Sequence, residues 1–142
     1  MLALALAAST ITCSRGAVRG QSPVTTFATT AEIMDGIVIP YSQAIFDAVA
    51  YENGTLIRAP RNDDEWHRLY VQALAVAEAG NLLMIDGRAK DQREWVALAH
   101  EMSLKAAAVA KGASVKNVDR VLDAGGELYE TCTACHAKYV PQ

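Results

Sequence analysis

From Thr29 to the end of the chain, apolar side chains recur at spacings of three and four in four successive runs. That periodicity restricts the chain to helices that each bury one face. The first run holds Ile33, Met34, Ile37, Val38, Tyr41, Ile45, Phe46 and Val49, and Thr29 with Glu32 has capping-box spacing at its start. Pro40 falls inside it, where a missing N–H and a ring clash predict a kink or a local opening. Asn53-Gly54 and Ala59-Pro60 mark the connection that follows. The second run begins near Asn62 or Asp63, with Asp63, Asp64 and Glu65 at the positive end of the helix dipole. It carries Trp66, Leu69, Tyr70, Ala73, Leu74, Ala77, Leu82 and Leu83, and Asp86-Gly87 closes it. The third spans about Asp91 to Lys111, sets Trp95, Leu98, Met102 and Val109 on one face, and meets a stop at Gly112. Ser114 is placed to cap the fourth, whose Val118, Val121, Leu122, Leu128 and Tyr129 lead into the final residues.

Alanine fills 26 of the 142 positions, which favours helix and lets helix axes approach closely. Four prolines and nine glycines are too few for a turn-dense β protein. No run shows strand-like alternation, and there is no repeat or second domain. Four helices with short or moderate connections predict an all-α fold, an antiparallel up-down-up-down four-helix bundle. A net charge of −3 without a basic run argues against nucleic acid as a partner. No apolar stretch reaches the roughly 18 residues that a transmembrane span needs.

Residues 1–22 read as a leader and residues 23–142 as the domain. Met1 to Ile11, MLALALAASTI, is an apolar run followed by small and polar residues without period. It resembles the apolar region and tail of a secretory signal peptide, although Leu2 directly follows Met1 and no basic residue precedes the run. The expectation is an exported, periplasmic protein. Loss of the leader removes Arg15 and Arg19 and takes the net charge from −3 to −5. Cys13 raises an alternative, a lipid anchor tethering the protein to a membrane; a lipobox wants an aliphatic and a small residue where Thr10 and Thr12 stand.

Three cysteines cannot all pair within one chain. Two of them stand in Cys132-Thr133-Ala134-Cys135-His136, a C-x-x-C-H sequence, the attachment pattern of covalent haem c. Thiols at i and i+3 lie on one helix face and can form thioethers with two vinyl groups, and His136 can then offer an imidazole nitrogen to the iron. A thioredoxin-like redox pair should instead open a helix after a strand, where the helix N-terminus lowers a thiol pKa. A structural zinc site needs four ligands, and no second compact pair is present. A haemless module with a redox or metal-binding C-x-x-C is the alternative from a different class.

A single C-x-x-C-H near the end of an alanine-rich four-helix chain resembles the class II c-type cytochromes, the cytochrome c-prime group. Tyr129-Glu-Thr-Cys132-Thr-Ala-Cys135-His136-Ala-Lys-Tyr139 is similar to that family's haem helix, including the tyrosine three residues after the histidine. The likeness spans Thr29 to the end, and its specific part is the last dozen residues. Where the family often has a basic residue after that tyrosine, Val140 stands here, with Lys138 before it.

Heights along an antiparallel bundle rank the residues that face the far side of the iron. His136 lies about 5 Å from the end of the fourth helix and Met34 about 6 Å into the first. Met84 is near the same end but beside a connection. Met102 and His100 lie about 16 and 13 Å up the third helix, and His67 about 25 Å away. Geometry therefore puts Met34 first and Met84 second. The resemblance points the same way, since the six-coordinate branch of the family takes its distal ligand from a first-helix methionine. It implies a monohaem electron carrier that exchanges single electrons with redox partner proteins, with no substrate site or acid–base pair of an enzyme. An open distal position would instead give a five-coordinate centre able to bind NO or CO. Bundles of this family can pair through exposed helix faces, which leaves a homodimer open.

Trp95, in the first turn of the third helix, is placed to pack on the haem or to act as an ordinary core residue. Arg88, Lys90 and Arg93 stand at the same end, able to neutralise a propionate or to sit as solvated loop charges. His67 and His100 read as surface or partly buried helix residues. Gly125-Gly126 costs helix stability that a close approach or a kink would justify. Asn53-Gly54-Thr55 has the form of a glycosylation sequon and reads as a turn.

Overall fold

A computed structural model describes residues 24–140, so the expected leader and Cys13 lie outside the described residues. The first helical stretch is composite: α1 (Thr30–Ile33), a π-helical turn (Met34–Val38) and α2 (Ile39–Phe46). A hairpin of β1 (Ala50–Glu52) and β2 (Thr55–Arg58) follows. Three long helices complete the chain, α3 (Asp63–Leu83), α4 (Glu94–Ser114) and α5 (Val118–Tyr139).

Side chains start these helices as the spacing requires. Thr29 Oγ1 accepts the Glu32 N–H while the Glu32 carboxylate accepts from Thr29, a reciprocal capping box. Asn62 Oδ1 accepts the Glu65 N–H at 2.9 Å and opens α3. Three boundaries differ from expectation. α4 begins at Glu94 and not at Asp91, because Asp91 lies ahead of the helix with Oδ1 accepting the N–H groups of Arg93, Glu94 and Trp95. Gly112 does not stop that helix. A Cβ there would lie 3.1 Å from Val121, so the glycine serves the tight passage from α4 to α5. The stop comes later, where Lys116 adopts φ +53° and the N–H groups of Lys116 and Asn117 return to the carbonyls of Ala113 and Gly112. Ser114 caps nothing; its hydroxyl donates to Lys111, and Asn117 caps α5 through Arg120 N–H.

Pro40 produces a widened turn rather than a break. Ile39 N–H bonds the Met34 carbonyl one residue beyond the α-helical partner, and α2 then starts with proline in its first turn, where no N–H is needed. The hairpin corrects the reading that the chain has no strands. Asn53 and Gly54 have φ of +49° and +78°, the pair of left-handed residues that a two-residue hairpin loop requires. The turn was legible; the three- and four-residue strands flanking it are too short to show alternation.

α3 packs on α4, α4 on α5, and the first helix on α3 and α5. Ala73, Val76, Ala106, Val109 and Leu128 have no exposed surface at this junction. Gly80 sets the spacing of α3 and α4. A Cβ there would fall 2.0 Å from Ser103 Oγ and 2.7 Å from the Ala99 carbonyl oxygen. At one end, Trp95 Nε1 donates to the Leu83 carbonyl at 2.8 Å, the Tyr139 hydroxyl donates to Asp91, and Lys138 pairs with Glu94. At the other end Lys116 pairs with Asp63 at 2.7 Å, and the Tyr51 hydroxyl donates to Asp119. Gly125 and Gly126 serve no close approach: ordinary contact with Ile45 at 3.8 Å is all the first would meet, and the second faces open space. Among the described residues, no helix is long and apolar enough to cross a membrane.

Candidate functional site

A cavity of about 520 Å³ lies between the first helix, α4 and α5, and Leu83 at the end of α3 also lines it. Cys132, Cys135 and His136 belong to its lining. All three sit in the last two turns of α5, at the carbonyl end of the helix. Both cysteines are free and half-buried, and His136 is exposed. Burial pushes both thiols up from their ordinary pKa, and the nearby Cys135 raises Cys132 further. A protonated thiol at a helix C-terminus is the opposite of the activated thiolate that a redox C-x-x-C uses.

The wall supplied by the first helix is a stripe of Met34, Val38, Ser42 and Phe46, one every four residues, flanked by Ile39 and Gln43. α4 contributes Trp95, Leu98, Ala99 and Met102. The Phe46 and Tyr129 rings meet edge to face at 5.6 Å and bound one end. Trp95 is buried, anchored through Leu83, and packs edge to face on Tyr139 at 5.0 Å. Asp91 thereby holds both ends of this corner. Its carboxyl lies well below the usual range, through the Tyr139 hydroxyl first and the N–H groups of Arg93, Trp95 and Glu94 with it. The same hydrogen bond pushes the Tyr139 phenol up to about 12.

The structure therefore brings Met34, Trp95, Cys132, Cys135 and His136 to one cavity. Met34 is half-buried there. Met84 caps α3 outside the lining, and His67 and His100 are exposed elsewhere. Met102, ranked low by height, is buried and lines the cavity, because the space extends upward as far as Phe46 and Tyr129. None of Arg88, Lys90 and Arg93 reaches the lining. Arg88 is instead buried, donating to the carbonyls of Ala28 at 2.9 Å and Leu82 at 3.1 Å.

Sequence reasoning missed Ser42. It is 5% exposed and belongs to the lining, and its hydroxyl is buried without a hydrogen-bond partner. The available signal was its place two turns after Met34 and one after Val38 on an otherwise apolar stripe.

The donor set and shape suit a covalent haem. The volume falls within the roughly 300–1,000 Å³ of small-molecule and cofactor pockets. The walls are mainly apolar, two free cysteines and a histidine share one of them, and a thioether stands on another. Among the described residues, no group of three or more His, Cys, Asp and Glu side chains is arranged to hold a metal ion. The chain matches no protein-family model, no curated protein and no solved structure.

Proposed function

We propose that this chain is an exported, periplasmic monohaem c-type cytochrome of the class II kind, an up-down-up-down bundle with haem joined to α5, which carries single electrons between redox partner proteins. One observation carries the reading: the C-x-x-C-H wall and Met34 line the same apolar cavity. The helix-end contacts support the antiparallel arrangement, with Leu83 beside Trp95, Tyr139 beside Asp91, and Lys116 beside Asp63.

Haem, when bound, supplies an iron that alternates between ferric and ferrous states. Cys132 and Cys135 would hold it through thioethers; burial raises both thiols, which disfavours the thiolate that dithiol exchange needs. His136 would offer the proximal imidazole and Met34 the distal thioether, a pair that raises the reduction potential. Trp95, Leu98, Phe46 and Met102 would exclude water from the group's faces. Tyr139, through Asp91, fixes the helical turn that follows His136.

Expression with a c-type haem attachment system tests the proposal. The expected product carries covalent haem, shows sharp α and β bands when reduced by ascorbate, and shows a methionine-to-iron charge-transfer band when oxidised. Met34→Ala should abolish that band and admit CO to the reduced iron, whereas Met84→Ala should change neither. A wild-type high-spin spectrum that responds to CO would replace Met34 ligation with the five-coordinate reading, and protein that matures without haem would overturn both.

A further inference from the structure

Resting on the haem reading, we infer that Pro40 is a positioning residue for the distal ligand, because the π turn it imposes rotates Met34 into the cavity. Pro40 has no N–H to return to the Gly36 carbonyl, and its ring crowds that oxygen, so an α-helix cannot run undisturbed through residues 36–40. The chain answers with the π turn Met34–Val38, in which the Ile39 N–H reaches back five residues to the Met34 carbonyl. Such a turn holds one residue more than an α-helical turn. Everything ahead of it is thereby rotated by about 100° relative to α2, one residue's share of a helical turn. No packing contact at Gly36 forces the wide turn, since that residue is exposed and a Cβ there would meet nothing.

Burial follows that rotation. Ile33, Val38, Ser42 and Ile45 are the buried residues of this stretch, so the inward side advances by five residues across the π turn and by four and three after it. In an uninterrupted α-helix a five-residue step would set Ile33 about 140° away from Val38. The same count applies to the cavity. α2 lines it with Ile39, Ser42, Gln43 and Phe46. Counting back from these at about 3.6 residues per turn brings Asp35 into line and leaves Met34 about 100° round the helix. The structure has the reverse: Met34 is half-buried in the lining, and Asp35 is exposed outside it. The two residues differ in height by only about 1.5 Å. Whether a thioether or a carboxylate faces the iron is therefore a matter of helical phase, and Pro40 sets that phase.

The test compares haem-loaded wild type, Pro40→Ala and Pro40→Ala/Asp35→Met. Both positions are exposed, and alanine restores the missing N–H, so these variants should fold and carry covalent haem. Oxidised Pro40→Ala should lose the methionine-to-iron charge-transfer band, and its reduced form should bind CO. Adding Asp35→Met should restore the band, whereas Met34→Ala/Asp35→Met with Pro40 retained should lack it. A band that persists in Pro40→Ala would overturn the inference and leave the cytochrome reading standing. A lost band that Asp35→Met does not restore would also overturn it, because the proline would then act through stability and not through rotation. Wild-type protein that carries haem without the band would overturn Met34 ligation and this inference together, and wild-type protein without covalent haem would overturn the cytochrome reading as well.

Discussion

At the scale of single residues, Asp91 and Arg88 join separate parts of the chain, where the sequence reads the first as the start of a helix and the second as a propionate partner or a loop charge. Asp91 accepts three backbone N–H groups on one oxygen and the Tyr139 hydroxyl on the other. Its folded carboxyl titrates below the unfolded value of about 3.9, so its stabilisation is complete above about pH 5 and fades as pH falls through the folded pKa. Denaturant unfolding of Asp91→Asn should therefore show its largest deficit near neutrality and a shrinking one toward pH 2. Tyr139 has the opposite sign. Its pKa is raised to about 12 from near 10, so its contribution holds below pH 10 and is lost as pH rises toward 12. Tyr139→Phe should consequently converge on wild type in alkali, and a gap that is flat across pH would contradict the hydrogen bond. Arg88 bridges Ala28, ahead of the first helix, to the Leu82 carbonyl near the end of α3. Lysine has one head group where arginine has a fork. Arg88→Lys and Arg88→Ala should each lower stability, the alanine variant by about 2–3 kcal/mol in urea titrations.

At the scale of elements, the glycine that sets a close approach is not the pair that stands out in the sequence. Gly125-Gly126 draws the eye as a costly pair, yet Gly126 is exposed and a Cβ there meets nothing. Gly126→Ala should stabilise the protein by about 0.5–1 kcal/mol through helix propensity and lost unfolded-state freedom. Gly80 sits unremarked in the alanine-rich second run, and it is where α3 and α4 approach closely. Gly80→Ala should destabilise by about 1–3 kcal/mol despite alanine's better propensity, because the Ala99 backbone is among the atoms that must move. Thermal melts of the two variants should move in opposite directions. The contrast shows what was legible. Apolar spacing and caps at Thr29 and Asn62 set the helices within a few residues, because those signals are local. The end of α4, the role of Gly80 and the burial of Ser42 depend on what lies across the bundle, which periodicity does not encode. The C-x-x-C-H stretch and Met34 were readable because one is a contiguous motif and the other follows from helix rise. The same arithmetic gives Met102 a height but not its place in the lining, because it does not give the extent of the cavity.

At the scale of the whole molecule, the packing is uneven, and the cavity explains how. α3 and α4 lie together along their length around Ala73, Val76, Ala106 and Val109, all fully buried. The first helix meets α3 and α5 over a shorter span, contains a π turn, and has the cavity rather than side chains along the stripe from Met34 to Phe46. A group joined to Cys132 and Cys135 would fill that space and tie α5 to the first helix. Removing it should not melt the bundle evenly, since stability is local where buried contacts are local. A Cys132→Ala/Cys135→Ala variant, matured without covalent haem, should melt at a lower temperature than the loaded protein. In hydrogen exchange it should lose protection over residues 30–46 and the last turns of α5 while keeping it across the facing sides of α3 and α4. Equal loss in all four helices would mean that the cavity occupant nucleates the whole fold. Unchanged protection in the first helix would mean that the cavity needs no occupant, which would remove the packing argument for a large prosthetic group at this site.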